Sequence, residues 1–396
     1  MKKVILTSLF LCLIFLTGCG KYNEKTIVKD LNKKINAISG YHIEGKMEIY
    51  NGEDVYKYDV KSSYENDNYR VSLTNTLNNH EQIILRNADG VYVLTPKLNK
   101  SFKFQSNWPE NNSQVYLLGS ILNDINKDDK LKLEEKNGKY ILTVKIAYSN
   151  NKNLVKQKIY MDKNLNIEKI IVLDENGNKQ IKMVFDSIDT NASFNNKYFS
   201  VSENMKTVEV EEADNKEKET NEDKTTQDDK DAKTEVNNNE NQTKTNKEET
   251  TTDTNSYEKS EKNNTKTNAD EKNDKQDSKT TTTILEETVY PMYLPSGTYL
   301  ETEEVVSTDN GDRTILTFSG ESPFILVEEA VSKLDEMEII PVYGEPTILV
   351  DTVGALSDTS VNFISNGIEY YIASESLTKQ EILEVASSLA SIPIMK

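Results

Sequence analysis

The chain has 396 residues, of which 36% are hydrophobic and 29% are charged, and its formal net charge is −19. A protein with this excess of acid repels the phosphates of DNA and RNA, which argues against nucleic acid as a partner. Its two cysteines, Cys12 and Cys19, both lie in the first 19 residues, so the rest of the chain has no disulfide framework.

The first 19 residues have the pattern of a secretion signal. Lys2 and Lys3 precede an apolar run of about 13 residues, which is the length of a signal-peptide core and too short to span a bilayer. The run ends in Leu16-Thr17-Gly18-Cys19, which resembles the lipobox of bacterial lipoproteins. This resemblance implies that Cys19 is acylated, for example by palmitate, and holds the chain at the outer face of the cell membrane of a Gram-positive bacterium. A plain secretion signal that ends near a cysteine is the alternative.

Charge divides the remaining chain into three regions. Residues 20–206 carry a net charge of +4, residues 207–283 of −9 and residues 284–396 of −16. The middle region consists almost wholly of polar and charged residues, which cannot bury enough apolar surface to offset the entropy of ordering. We therefore predict a folded domain at 20–206, a disordered acidic linker at 207–283 and a second, acidic domain at 284–396. The mildly basic first domain can approach anionic lipid, which repels the acidic one.

Alternating apolar and polar residues dominate the first domain. Residues 26–38 place four apolar side chains on one helical face, and alternation begins at Tyr41. About ten strands follow, separated by turns such as Asn51-Gly52 and Asn137-Gly138, with a helix predicted at residues 114–125. A meander this long must curl or close rather than stay flat.

The acidic region predicts a compact α+β unit. Strands are predicted at residues 288–294, 299–307, 313–318, 347–352, 360–365 and 368–373. Ser322-Pro323 has the residues of a helix start, so a helix is predicted at Phe324–Met337. Thr378 and Glu381 form a capping-box pattern that predicts a final helix to about Ser391.

The residue types that carry catalysis are scarce. The two histidines, His42 and His80, lie on the polar side of a strand and in an Asn-rich loop, where solvated histidines are common. The chain shows no metal-ligating cluster and no nucleophile or phosphate-binding motif. We therefore expect no cofactor, no metal and no enzymatic activity. A pair of catalytic carboxylates in the acidic domain is the alternative, although no spacing singles out two of them.

A curled sheet with one apolar face and two helices can enclose an apolar groove. Whether the groove is open to a ligand or filled by the helices is left undecided by the sequence. The candidate lining residues lie at the apolar positions of the predicted strands or close to those strands: Ile43, Met47, Ile49, Tyr69, Val71, Leu73, Ile83, Leu85, Val91, Val93 and Trp108.

Two segments carry a resemblance to a known family. The order of elements from Thr26 to Phe199, above all the run Leu31-Asn32-Lys33-Lys34-Ile35-Asn36-Ala37-Ile38-Ser39-Gly40-Tyr41, resembles the lipoprotein-carrier superfamily of LolA and the N-terminal domain of RseB. The stretch from Val353 through Asn366-Gly367 to Leu389 is similar to the second domain of sporulation-associated lipoproteins. In those proteins an aromatic residue, usually Trp, precedes the turn, and here Phe363 stands in its place.

The resemblance implies an unclosed antiparallel β-barrel with a helical lid, followed by the linker and a small α+β domain. Germination lipoproteins of the GerS type share the lipidated carrier-like domain. The implied function is a non-enzymatic, membrane-anchored binding lipoprotein in sporulation or germination. Its partners would be the membrane and an envelope protein, or a lipid or acyl ligand. The alternative is an RseB-like envelope-stress sensor that regulates a sigma factor.

Overall fold

The computed structural model describes residues 22–109, 113–148, 151–206, 285, 287–308, 311–331 and 333–390. The predicted signal sequence with Cys19 and the predicted linker at 207–283 lie outside these residues. Within them, no helix combines the length and the apolar composition that crossing a bilayer requires.

Three helices have defined bounds: α1 (Glu24–Asn36), α2 (Leu118–Lys127) and α3 (Lys379–Ala390), and residues 201–206 are also helical. The first sheet contains β1 (Gly40–Asn51), β2 (Asp54–Glu65), β3 (Asn68–Asn75), β4 (His80–Asn87), β5 (Gly90–Thr95), β6 (Lys100–Phe104), β7 (Lys132–Lys136), β8 (Lys139–Lys145), β9 (Lys156–Met161), β10 (Ile167–Leu173) and β11 (Lys179–Asp189). The remaining strands are β12 (Thr298–Thr308), β13 (Gly311–Gly320), β14 (Phe324–Ala330), β15 (Glu338–Val342), β16 (Glu345–Ile348), β17 (Val353–Leu356), β18 (Ser360–Ser365) and β19 (Ile368–Ala373).

Local chemistry sets several of these boundaries, and two of them, the Asn137-Gly138 turn and the start of α3, were predicted. The Asn23 side chain accepts the Thr26 N–H at 3.0 Å and caps α1. Between β7 and β8, Asn137 and Gly138 both have positive φ angles, 54° and 73°, which is the signature of the two-residue turn that matches strand twist. At the start of α3 the Thr378 N–H donates to the Glu381 carboxylate at 2.8 Å, which confirms the predicted capping box.

The first sheet has twelve strands in the order β15-β6-β5-β4-β3-β2-β1-β11-β10-β9-β8-β7. Its neighbours are antiparallel, except that β15 runs parallel to β6. The end strands, β15 and β7, do not pair with each other, so the sheet is not closed. The second sheet has the order β12-β13-β14-β19-β18-β17-β16. These features confirm the predicted α+β class with an unclosed sheet, few helices and a separate C-terminal sheet that carries a short helix.

The helices cover apolar faces of both sheets. Ile27 and Leu31 of α1 and Ile121 of α2 are buried in one cluster with the concave-face residues of the first sheet. Leu383 and Ala386 of α3 are buried in a second cluster with residues of the second sheet. α1 and α2 therefore form the predicted lid over the concave face.

The predicted helix at Phe324–Met337 is wrong. The structure has strand β14 at Phe324–Ala330, where Phe324, Leu326 and Glu328 are buried while Ile325 is 44% exposed. This period of two belongs to a strand paired on both sides, with β13 and β19. Pairing with two neighbours outweighed the Ser-Pro start signal, and the buried Glu328 disguised the apolar alternation. The strand predicted at residues 288–294 is also wrong, since these residues have no regular secondary structure.

The C-terminal part contacts the first sheet through strand pairing and buried polar groups. Besides the β15–β6 ladder, the Tyr58 hydroxyl donates to the Val350 carbonyl at 3.0 Å. The Gln82 side chain is hydrogen-bonded to Thr352 and to the backbone of Val353. The predicted domain boundaries stay a prediction, because these contacts join the two sheets in one unit.

Candidate binding cavity

A cavity of about 540 Å³ lies between the concave face of the first sheet and helix α3. Met47 and Ile49 of β1 and Ile181 of β11 form the wall on the side of the sheet. The register explains their shared orientation, since Ile49 lies opposite Ile181 and Met47 lies opposite Met183. The apolar side chains on one face of the two paired strands therefore form this wall.

The opposite wall comes from the C-terminal part of the chain. Leu383 and Ser387 are one turn apart on α3, and the loop after β16 adds Leu349 and Val350. Met292 lies at the rim and is 77% exposed. The cavity thus exists only where the two sheets meet.

One polar group in this wall has an unused hydrogen-bonding position. The Gln380 side chain donates through Nε2 to the Glu384 carboxylate at 3.0 Å. The carboxylate can only accept, so the amide nitrogen must face it, and Oε1 is the atom left over. This Oε1 is buried and has no partner among the described residues. An N–H group of a ligand would satisfy it.

Two tyrosines of the cavity are held in the neutral form. Burial raises the pKa of Tyr148 well above its usual value. Burial, and then a hydrogen bond with Glu384, raise the pKa of Tyr293. Neutral phenols and apolar side chains suit the binding of an apolar group with a polar end, not of an anion.

The described residues contain no cluster of His, Cys, Asp and Glu that could hold a metal ion. One arrangement resembles a nucleophile with its base: His42 Nδ1 lies 2.9 Å from Ser63 Oγ, and His42 Nε2 lies 3.6 Å from Glu44. Ser63 is fully buried, however, and its Oγ is also hydrogen-bonded to the Tyr198 hydroxyl at 2.9 Å. The group of three therefore presents no nucleophile to a substrate.

The structure places the candidate groove residues in three locations. Met47 and Ile49 line the cavity, as part of a larger set on the concave face. The members of that set that lie away from the cavity are Ile43, Tyr69, Val71, Leu73, Val91, Val93 and Trp108. Ile83 and Leu85 lie on the opposite face of β4, packed against Phe199 and Met205.

The misplacement of Ile83 and Leu85 has a simple cause. Residues 83–85 are all apolar and buried on both faces of β4, so no alternation in the sequence shows which of them faces the concave side. Ile84 is the residue that faces the concave side. The helices and the concave face bury most of the predicted groove as ordinary core. Among the described residues, a space of about 540 Å³ remains beside α3, and one of about 370 Å³ lies between α1 and β11.

Sequence reasoning missed the wall formed by α3. Gln380, Leu383 and Glu384 were assigned to a separate domain, and no local pattern distinguishes a cavity-lining helix face from a core-facing one. The capping box fixes where α3 begins, but only the contacts between the sheets show what it faces. Cys19 lies outside the described residues, so its acylation stays a prediction.

Comparisons with known sequences give two matches. Residues 1–199 match the family described as "Sporulation protein YdcC-like". Over 397 residues, which cover 98% of each chain, the sequence is 30% identical to "Sporulation protein YdcC" of Bacillus subtilis (strain 168).

Solved structures give weaker likenesses. The MucA/MucB complex of Pseudomonas aeruginosa aligns with a TM-score of 0.29 and 11% identity, covering 91% of this chain and 97% of that one. The GerS lipoprotein in complex with the CwlD amidase of Clostridioides difficile aligns with a TM-score of 0.23 and 20% identity, covering 44% of this chain and 97% of that one. At TM-scores this low, neither likeness supports an inference about function.

Proposed function

The chain belongs to the YdcC-like family of sporulation proteins, and we propose that it is a lipid-anchored, non-enzymatic binding protein of the sporulating cell. Its ligand is an apolar segment of a protein partner in the cell envelope, bound in the cavity beside α3. The membership in a sporulation family favours this role over the envelope-stress sensor that the sequence also allowed.

The cavity is the observation that carries the proposal. Its volume of about 540 Å³ is large enough for a few apolar side chains, and Met47, Ile181 and Leu383 offer them an apolar wall. The unpartnered Oε1 of Gln380 favours a peptide over a hydrocarbon chain, because a peptide carries N–H donors and an acyl chain carries none. A bound lipid is the alternative ligand.

Two further observations support the role. The burial of Ser63 beneath Tyr198 supports a non-enzymatic function, since the serine nearest to a histidine base is closed to substrates. The lipobox pattern at Leu16-Thr17-Gly18-Cys19 supports the anchor. A protein tethered by acyl chains cannot shuttle between membranes, so the proposed role is binding at one membrane and not transport.

The test replaces the gene in the native sporulating host with three variants. We expect Cys19→Ala to release the protein from the membrane fraction and to abolish its labelling with fatty acid. Leu383→Trp fills the cavity, and we expect both variants to lower the yield of heat-resistant spores. Ile325→Trp, at an exposed position of β14, is the control and should sporulate normally. Normal sporulation by Cys19→Ala and Leu383→Trp would overturn the proposal.

A further inference from the structure

The convex face of the first sheet is covered over one half only. Ile83, Leu85 and Tyr92 on β4 and β5 are packed against the segment that follows β11, through Phe199 and Met205. On β8, β9, β10 and β11 the convex face has no such cover from any described residue. The same sheet therefore has one closed and one open outer surface.

The open surface has a regular composition that the strand register makes explicit. One row across the sheet reads Lys132, Thr143, Lys158, Ile171 and Lys182, on β7 through β11 in sheet order. The next row reads Glu134, Ile141, Tyr160, Lys169 and Val184. A third row reads Lys145, Lys156 and Leu173, on β8, β9 and β10. Lysines and apolar side chains are thus interspersed at positions where an antiparallel sheet facing water has mostly polar residues. We call the surface formed by these three rows the basic face.

The lysines of the basic face are short of acidic partners. Lys145 and Lys156 lie directly opposite each other on β8 and β9, an arrangement of like charges that destabilises a sheet. Neither residue nor Lys158 forms an ion pair with any described residue. Nearby carboxylates are already engaged: Glu48 binds Lys182 and Glu168 binds Lys139. An anionic partner outside the chain would remove this repulsion.

Two acidic groups at the edge of the basic face do not neutralise its central lysines. Asp128 accepts the backbone N–H groups of Lys130 and Lys145, at 2.9 and 2.7 Å. Glu134 lies on β7, the end strand of the sheet, and not among the central lysines. The centre of the basic face is therefore positive, and the apolar side chains between the lysines are half-buried.

The start of the described chain lies beside β8, on the side of the sheet opposite to the basic face, since Tyr140 lies on the same face of β8 as the buried Leu142. The ring of Tyr22 packs edge-on against the ring of Tyr140 on β8, with 5.2 Å between the ring centroids. Three residue steps separate Tyr22 from Cys19, and three extended steps reach about 10 Å. An acyl anchor on Cys19 would therefore keep the β8–β7 edge of the sheet close to the bilayer, and the charge of the basic face selects that face as the one turned toward the lipid.

We propose that the basic face lies against anionic phospholipid headgroups of the membrane that holds the anchor. The lysine ammonium groups meet lipid phosphates, and Ile141, Tyr160 and Ile171 enter the headgroup layer between them. This inference rests on the proposed lipid anchor and adds an orientation to it. The acidic residues 284–396, with a net charge of −16, are repelled by the same surface, which favours one orientation over others.

The test uses the whole chain from residue 19 to residue 396 with Cys19→Ser, so that binding does not depend on the acyl group. Its binding is measured to vesicles of phosphatidylcholine alone and of phosphatidylcholine with about 30% phosphatidylglycerol. We expect binding only to the anionic vesicles, and loss of that binding at about 1 M salt, where the Debye length is about 3 Å.

A matched pair of double variants locates the surface. Lys156→Gln with Lys158→Gln removes two positive charges from the basic face, and Lys57→Gln with Lys61→Gln removes two from the convex face of β2. We expect the first pair to weaken vesicle binding about 30-fold, which corresponds to about 1 kcal/mol per lysine, and the second to weaken it less than about threefold. Unfolding curves of both variants confirm that each one is folded.

Equal binding to neutral and anionic vesicles, no binding to either, or an equal loss in both variant pairs would overturn the inference. None of these outcomes bears on acylation of Cys19 or on the cavity, because the experiment involves neither.

Discussion

The side-chain amide of Gln82 is hydrogen-bonded to both backbone groups of Val353, accepting its N–H at 2.6 Å and donating to its carbonyl at 3.2 Å. Gln82 belongs to β4 of the first sheet and Val353 opens β17 of the second. Both residues are buried, at 3% and 1% exposure. One glutamine thus imitates a strand partner where the two sheets meet, next to the loop that lines the cavity.

We predict that Gln82→Leu lowers the free energy of unfolding by about 2–4 kcal/mol, because it leaves a buried N–H and a buried carbonyl without partners. Urea unfolding measures the change. Gln105→Leu, at an exposed position after β6, is the control and should change the free energy by less than about 0.5 kcal/mol. Equal stability of the two variants would show that Gln82 does not join the sheets.

The lysine pair across β8 and β9 leads to a second prediction. Lys156→Gln should raise the free energy of unfolding by about 0.2–1 kcal/mol, since it removes the repulsion from Lys145. Lys57→Gln should act in the opposite direction, because Lys57 lies opposite Glu48. Both effects should fade at high salt. Unfolding curves at low and high salt measure them, and a destabilising Lys156→Gln would contradict the inferred repulsion.

A buried carboxyl in β14 predicts a pH dependence. Burial raises the pKa of Glu328 from 4.5 to about 7, although its Oε2 accepts the Val289 N–H at 3.0 Å. The folded chain therefore holds a proton that the unfolded chain has lost between about pH 4.5 and 7, so this group's contribution to stability falls as the pH rises through that window.

Glu328→Gln should therefore raise the free energy of unfolding by about 2–3 kcal/mol at pH 8 and leave it nearly unchanged at pH 4. Comparing the variant with the wild type at each pH separates Glu328 from Asp351 and Asp124, whose pKa values burial also raises, to about 6. A difference that is the same at both pH values would show that Glu328 does not titrate in this range.

The cavity predicts the binding of an apolar dye to the whole chain. Leu383→Trp should weaken that binding at least tenfold, because the indole ring occupies the space between α3 and β1. Fluorescence titration measures the change, with Ile325→Trp as the control at an exposed site. Unchanged dye binding by Leu383→Trp would place the dye elsewhere.

Much of the first sheet could be predicted because its signals are local. Asn-Gly turns and strict alternation mark β1, β2, β7 and β8, and the capping box marks α3. The helix predicted at Phe324–Met337 failed because its signals, Ser322-Pro323 and an acidic residue at a core position, are local, whereas the strand is fixed by partners on both sides. Tertiary pairing overrides propensity in such segments.

The cavity could be predicted only in part, for a related reason. Met47 and Ile49 follow from the alternation of β1, but Gln380 and Leu383 line the cavity because β15 joins β6 and Gln82 binds Val353. Those contacts link residues more than 200 positions apart, and no periodic pattern encodes them. The basic face depends less on such distant contacts, because alternation along each strand fixes the side of the sheet on which each lysine lies.

The most direct test of the central claim, that an anchored protein binds a partner in the cavity beside α3, is site-specific photocrosslinking in sporulating cells. A photoreactive residue at Met292, on the cavity rim, should give one discrete crosslinked protein in the membrane fraction, and Leu383→Trp should abolish it. The same photoreactive residue at Ile325 should give no such product. A product that forms equally from both positions, or that persists with Leu383→Trp, would contradict the claim.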